Sequence, residues 1–154
     1  MVSIYLSRSQ KPTTMNNTEI IEKQPNRAPF LFIEKIIDLS SEHCLAKLKL
    51  QGNEWYFDCH WPGNPNMPAT LQLEAMSQTA SLILFQENEC PSFLYLAQIR
   101  KSIFRKKIMP GVDIIINVEL IRKIKNIYEF NAKITNNEGR VYSSAVLSLV
   151  KPIV

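Results

Sequence analysis

The stretch from Ala69 to about Glu87 constrains the fold more than any other part of the sequence. It contains no glycine or proline and only scattered β-branching, and it follows directly on the Pro- and Gly-rich passage Cys59-His-Trp-Pro-Gly-Asn-Pro-Asn-Met-Pro68. That passage must be loop. Pro68 then falls beside the first turn of a helix, where a missing N–H costs nothing. The run Ala69-Thr-Leu-Gln-Leu-Glu-Ala-Met-Ser-Gln-Thr-Ala-Ser-Leu-Ile-Leu-Phe85 is apolar around most of its circumference. Such a helix has to be buried on most sides.

The rest of the chain reads as strand. Phe30–Leu39 is apolar and β-branched and enters from Pro29, and His43–Leu50 alternates around Lys47 and Lys49. Tyr95–Phe104 is a further strand, Met109-Pro-Gly-Val112 a turn, and Ile114–Ile121 the next strand. Ile127–Thr135 alternates, Asn136-Asn-Glu-Gly139 turns, and Arg140–Val150 closes the series. Short connections favour antiparallel pairing. One apolar helix and a run of antiparallel strands give an α+β domain in which the sheet packs on the helix.

A chain of 154 residues is close to one average domain. It can bury roughly 68–70% of its unfolded surface. Hydrophobic residues at 45% and charged residues at 21% exclude disordered and collagenous classes. Residues 1–19 are polar and without period, and read as a flexible leader before a domain spanning 20–154. Met15 is a candidate natural start. Asn16-Asn17-Thr18 matches a glycosylation sequon, but no secretion signal precedes it to give it meaning.

Cys44, Cys59 and Cys90 are widely spaced and form no C-x-x-C, which suits free thiols in a reducing, cytoplasmic setting. No apolar run is long enough to span a bilayer. A metal site would have only His43 and His60 to draw on, with Asp58 beside the latter, so no metal is expected. Cys59 beside His60 is a weak nucleophilic pair, since neighbouring side chains in extended chain point to opposite faces. Net charge is +4, but Arg100, Lys101, Arg105, Lys106, Lys107, Arg122, Lys123 and Lys125 share one stretch with only Asp113 and Glu119. Either this is a solvated strand surface or it meets an acidic partner. Aromatic interleaving is too sparse for nucleic acid.

Two residues carry candidate chemistry. Glu74 lies in the middle of the helix, with no Lys or Arg one turn away, and Gln78 shares its face at hydrogen-bonding range. Burying a carboxylate without a cation costs several kcal/mol, usually relieved by protonation. The alternative is that Gln, Glu and Ser residues make a solvated stripe. His60 stands fourteen residues upstream, across a loop stiffened by Pro62, Pro65 and Pro68. If that loop turns back at the helix start, an imidazole base, a carboxylic acid and free helix N-terminal N–H groups converge. Those parts suit proton abstraction next to a carbonyl with loss of a leaving group.

His60-Trp-Pro-Gly-Asn-Pro-Asn-Met-Pro-Ala-Thr-Leu-Gln-Leu-Glu-Ala-Met-Ser-Gln78 closely resembles the H-F-P-G-H-P-x-M-P-G-V-L-x-x-E-A-M-A-Q signature of the FabZ-type 3-hydroxyacyl-acyl-carrier-protein dehydratases. Pro25-Asn-Arg-Ala-Pro-Phe-Leu31 resembles that family's P-H-R-Y-P-F-L, and Asn53-Glu-Trp-Tyr-Phe57 its N-E-P-F-F. Ile99-Arg-Lys-Ser-Ile-Phe104 with Pro110-Gly111 falls where the family has I-D-K-A-R-F and P-G-D. The likeness runs from about Pro25 to Val150.

The resemblance implies a hot-dog fold, and a dimer whose sites combine the His of one subunit with the Glu of the other. A higher assembly of dimers or a heterodimer remains open. It implies His60 as base and Glu74 as acid, with Gly63 and the amide at Ala69 on the thioester carbonyl, and Thr70 and Gln78 also at the substrate. It implies no cofactor beyond the phosphopantetheine of an acyl carrier protein, which Arg100, Lys101, Arg105, Lys106 and Lys107 would dock. Glutamate, rather than the aspartate of FabA relatives, implies dehydration without isomerisation. Ala69 replaces a glycine, Cys59 a glycine, Trp61 a Phe, Asn64 a His and Ala28 an aromatic residue. The Ala69 methyl and Thr70 narrow the expected acyl tunnel, which points to an altered chain length and a polyketide or other specialised pathway rather than housekeeping fatty-acid synthesis. The same fold also hosts thioesterases, and a non-catalytic acyl-binding or heterodimer partner is the remaining alternative.

Overall fold

The computed structural model describes residues 22–86 and 92–152. The leader at 1–19, Met15 and Cys90 lie outside them. Six strands, β1 (Lys35–Leu39), β2 (His43–Lys49), β3 (Tyr95–Phe104), β4 (Asp113–Ile124), β5 (Ile127–Thr135) and β6 (Val141–Val150), form one antiparallel sheet. Their order is β1-β2-β4-β5-β6-β3. Two helices stand between β2 and β3: the five-residue α1 (Trp55–Cys59) and the long α2 (Ala69–Leu84), which packs against β2, β4, β5 and β6. This is the expected sheet-on-helix arrangement. Among the described residues, no helix is long and apolar enough to cross a membrane.

Every residue of α2 from Ala75 to Leu84 is buried. Its apolar side chains, including Met76, Leu82 and Ile83, meet the alternating inward set of the sheet: Cys44 and Ala46, Ile114, Ile116 and Val118, Phe130 and Ile134, Leu147 and Leu149. Each large side chain so buried contributes about 1.5–3 kcal/mol. Two of the buried hydroxyls on the helix are satisfied within it. The Thr79 hydroxyl donates to the Ala75 carbonyl at 2.8 Å, and that of Ser81 to the Gln78 carbonyl at 2.7 Å.

Besides one-residue differences at strand ends, the long helix stops at Leu84 rather than about Glu87, two strands differ in extent and one helix is new. β1 begins at Lys35 rather than Phe30, because Phe30 and Phe32 give their backbone groups to a helix side chain instead of a strand. Gln78 Nε2 donates to the Phe30 carbonyl at 2.8 Å, and the Phe32 N–H donates to Gln78 Oε1 at 2.9 Å. β4 runs on to Ile124 because its far end pairs with the start of β5. The helix α1 was not anticipated; five residues are too few to show a helical period, and burial of Tyr56 and Phe57 holds it.

Burial also fixes two acidic groups in their neutral forms. Burial, reinforced by the Asp38 carboxylate, pushes the Cys44 thiol up from 9.0 to about 12. Burial and then Glu54 push the Tyr56 phenol well above its ordinary value of 10.0. As pH rises past 9 the unfolded chain releases the Cys44 proton while the folded chain keeps it, so the native state loses stability up to about pH 12. Tyr56 adds to the loss above pH 10. Urea unfolding at stepped pH should show a declining stability from pH 9, and Cys44→Ala should flatten the decline between pH 9 and 10, where Tyr56 contributes little. An unchanged slope in that variant would contradict the assignment.

Candidate active site

The loop that carries His60 is built from its sequence. α1 ends at Cys59, and the His60 N–H closes its last turn on the Tyr56 carbonyl at 2.8 Å before the chain turns extended. Trp61-Pro62-Gly63-Asn64 then makes a tight turn, with the Asn64 N–H on the Trp61 carbonyl at 2.8 Å and Gly63 at φ 84°. Proline before a left-handed glycine is what a type II turn requires. The turn brings the chain back, so that His60 Nδ1 lies 3.0 Å from the backbone carbonyl of the buried Asn66. A carbonyl can only accept, so Nδ1 carries the proton, and in the neutral ring Nε2 then holds the lone pair. His60 is thereby in the tautomer a general base needs.

His60 opens into a cleft of about 320 Å³ shared with Ala69 and Gln72 on the helix and Phe104, Arg105, Lys106 and Lys107 opposite. The Pro68 carbonyl takes the first intrahelical bond, from the Gln72 N–H at 3.1 Å. The N–H groups of Ala69, Thr70 and Leu71 therefore have no helical carbonyl to meet. Ala69 lines the cleft; Gly63, at the outer corner of its turn, and the exposed Thr70 do not.

Glu74 is elsewhere in the chain. It is half-buried, neither enclosed nor part of a solvated stripe, and lines a smaller cleft of about 140 Å³ with Gln24, Ser77, Gln78, Leu94 and Leu96. The two clefts have no lining residue in common. The Gln78 amide is oriented by the chain around it. Its oxygen takes the Phe32 N–H and its nitrogen the Phe30 carbonyl, which leaves an N–H for Glu74 Oε1 at 2.9 Å. Gln24, almost fully buried, supports this arrangement through the Gln78 carbonyl at 3.1 Å and the Ser81 hydroxyl at 2.9 Å. Neither Gln24 nor the Asn66 carbonyl was singled out from the sequence. The first acts from far along the chain, and the second is a backbone group that no residue type announces.

The basic stretch is divided. Arg105, Lys106 and Lys107 stand on the His60 cleft. Arg100 instead pairs with the buried Glu129, which Arg122 also approaches at 3.3 Å. Lys101 sits at φ 51° in an irregularity of the β3–β6 pairing and lines a separate groove on the sheet with Asn117, Lys133 and Ser144. Those two therefore leave the patch that the sequence reading grouped together. Among the described residues no group of three or more His, Cys, Asp or Glu could hold a metal. The Cys59 sulfur is 3.5 Å from the Trp55 carbonyl, along its own helix.

Comparison with known proteins agrees with this architecture. Residues 24–145 match the family model of the FabA-like domain. The 3-hydroxyacyl-[acyl-carrier-protein] dehydratase FabZ of Vibrio atlanticus (strain LGP32) is 36% identical over 143 residues, covering 90% of this chain and 95% of that protein. The FabZ of Vibrio vulnificus (strain YJ016) is 37% identical over 142 residues, covering 90% and 94%. Among solved structures, the dehydratase heterocomplex ApeI:P from Xenorhabdus doucetiae superposes with a TM-score of 0.75 at 16% identity, over 87% of this chain and 91% of that one. A hypothetical thioesterase with coenzyme A from Streptococcus pneumoniae TIGR4 superposes at 0.58 and 16% identity, over 76% and 84%. With one long helix wrapped by an antiparallel sheet and FabZ relatives alike over almost their whole length, the chain has the hot-dog fold and belongs to the FabA-like family.

Proposed function

We infer that the protein removes water from a 3-hydroxyacyl thioester carried on an acyl carrier protein, leaving the trans-2-enoyl thioester. FabZ relatives at 36–37% identity support the reaction. The observation that carries the two-subunit site is the course of β3. The strand has β6 on one side only and is exposed along its whole length, with Tyr95, Ile99, Ile103 and Phe104 all open. A long, unpaired, apolar edge invites another strand. At its start Leu96 lines the Glu74 cleft, and at its end Phe104 lines the His60 cleft. Two copies of β3 pairing antiparallel about a two-fold axis would lay the start of one along the end of the other. The Glu74 cleft of one subunit would then adjoin the His60 cleft of its partner, so a pair that one chain keeps apart would share a pocket.

In that pocket His60 Nε2 takes the proton from the carbon next to the thioester carbonyl. The N–H of Ala69, at the positive end of α2, stabilises the oxyanion that develops. Glu74 in its protonated form gives its proton to the 3-hydroxyl, which leaves as water, while Gln78 holds the carboxyl in place. His60 ends protonated and Glu74 ionised, and exchange with solvent resets both. The elimination moves no electrons to or from an outside acceptor, so it calls for no redox cofactor, and the phosphopantetheine arm of the carrier holds the acyl group. Arg105 and Lys106 at the mouth of the His60 cleft suit the acidic carrier. Free Cys44 and Cys59 suit a cytoplasmic setting.

Mass spectrometry of a 3-hydroxyacyl-carrier protein after incubation tests the reaction: loss of water is expected. Loss of the whole acyl group would make the protein a thioesterase, and an unchanged substrate a non-catalytic partner. His60→Ala and Glu74→Gln should each slow dehydration by at least ~100-fold with the fold intact; near wild-type turnover in either would remove that residue from the mechanism. Joint reversal of Arg105→Glu and Lys106→Glu should weaken turnover of the carrier-bound substrate and spare a short thioester mimic, with the difference fading as salt is added. Equal losses on both substrates would rule out carrier docking by these two side chains.

A further inference from the structure

We propose that Lys107 is a positioning residue for His60, locking the imidazole through Trp61 and Asn64, and not a carrier-docking residue like its neighbours. The proposal rests on the dehydratase reading for its kinetic consequence and on geometry for the rest. Trp61 stacks on His60 with ring centroids 4.9 Å apart and planes 22° from parallel. It does so from a left-handed backbone, φ 62°, that a tryptophan adopts only when its surroundings demand it. The Lys107 ammonium lies 5.6 Å from the indole centroid and donates to Asn64 Oδ1 at 3.1 Å. One cation thus holds both ends of the Trp61–Asn64 turn.

The segment that bears Lys107 is itself fixed to the loop, since the Met67 N–H donates to the Ile108 carbonyl at 2.8 Å. His60 is then gripped twice: in its plane by the Asn66 carbonyl at Nδ1, and on its face by the indole. The carbonyl fixes the tautomer but leaves the ring free to rock about that bond; the indole removes this freedom. An exposed cation–π contact is weak alone, and the added hydrogen bond to Asn64 gives it direction. Trp61 and Asn64 are both departures from the FabZ signature, so the clamp is built from this chain's own residues. A lysine already committed to Trp61 and Asn64 is poorly placed to dock a carrier.

The test compares Lys107→Met and Lys107→Arg on a 3-hydroxyacyl-carrier protein and on a 3-hydroxyacyl-N-acetylcysteamine thioester. Lys107→Met should lose on the order of 10-fold in kcat, by the same factor on both substrates, as expected when a reacting group is less well aimed. KM should stay within about twofold, because substrate binding is not what changed. Lys107→Arg should restore most of the rate, since a guanidinium can both cover the indole and donate to Asn64. An independent readout follows the imidazole proton signals of His60 by NMR, with His43, the only other histidine, as internal control. Their displacement by the indole ring current should shrink in Lys107→Met and return in Lys107→Arg. A loss confined to the carrier-bound substrate, or an unmoved His60 signal, would overturn the proposal. Should the wild type turn over neither substrate, the dehydratase reading falls, and the ring-current displacement alone upholds or overturns the clamp.

Discussion

A helix with no outward face has to be enclosed, and the enclosure of α2 organises everything else. From Ala75 to Leu84 every residue of the helix is buried, so a single flat layer could not cover it. The sheet curls around it instead, with β2, β4, β5 and β6 contributing to the wall. The chain before β1 closes the remaining side through Gln24, Phe30 and Phe32. Only the N-terminal turns of α2 emerge, and they do so beside His60 and Glu74. The candidate chemistry sits where the enclosure ends.

The closing side explains why Gln78 matters beyond its contact with Glu74. Its amide stands in for a strand partner, taking one N–H and offering one to a carbonyl of the 30–32 segment. Only then is an N–H left for the carboxylate. The orientation of Glu74 is therefore tied to the docking of a segment more than forty residues away in sequence, and Gln24 braces the same amide's backbone. His60 is held by unrelated means: a Pro-Gly turn, a backbone carbonyl and a stacked indole. The two clefts lie at opposite ends of β3, which makes the free edge of that strand the element that would unite them.

Much of this was legible from residue patterns. The bounds Tyr95–Phe104 and Ile127–Thr135 coincide with those of β3 and β5, the latter marked by its alternation and by the Asn136–Gly139 turn that follows it. The helix was readable from its lack of glycine and proline and its all-round apolarity. What could not be read depends on partners distant in sequence. The start of β1 is decided by Gln78, and α1 by the burial of two aromatic residues. The division of the basic stretch follows from Glu129 on another strand and from the irregular register near Lys101. The likeness to the FabZ signature named His60 and Glu74, but spacing alone does not reveal that one chain holds them in separate clefts.

The shared pocket is the central claim, and subunit exchange tests it most directly. A His60→Asn protein and a Glu74→Gln protein, each inactive alone, are mixed under conditions in which their subunits demonstrably exchange. In a mixed dimer one pocket collects both substitutions and the other keeps an intact His60 facing an intact Glu74. Random exchange places about half of the dimers in the mixed state with one live pocket of two, so activity should return to about a quarter of wild type. Exchange without any return of activity would mean that the two residues do not act across the two-fold axis.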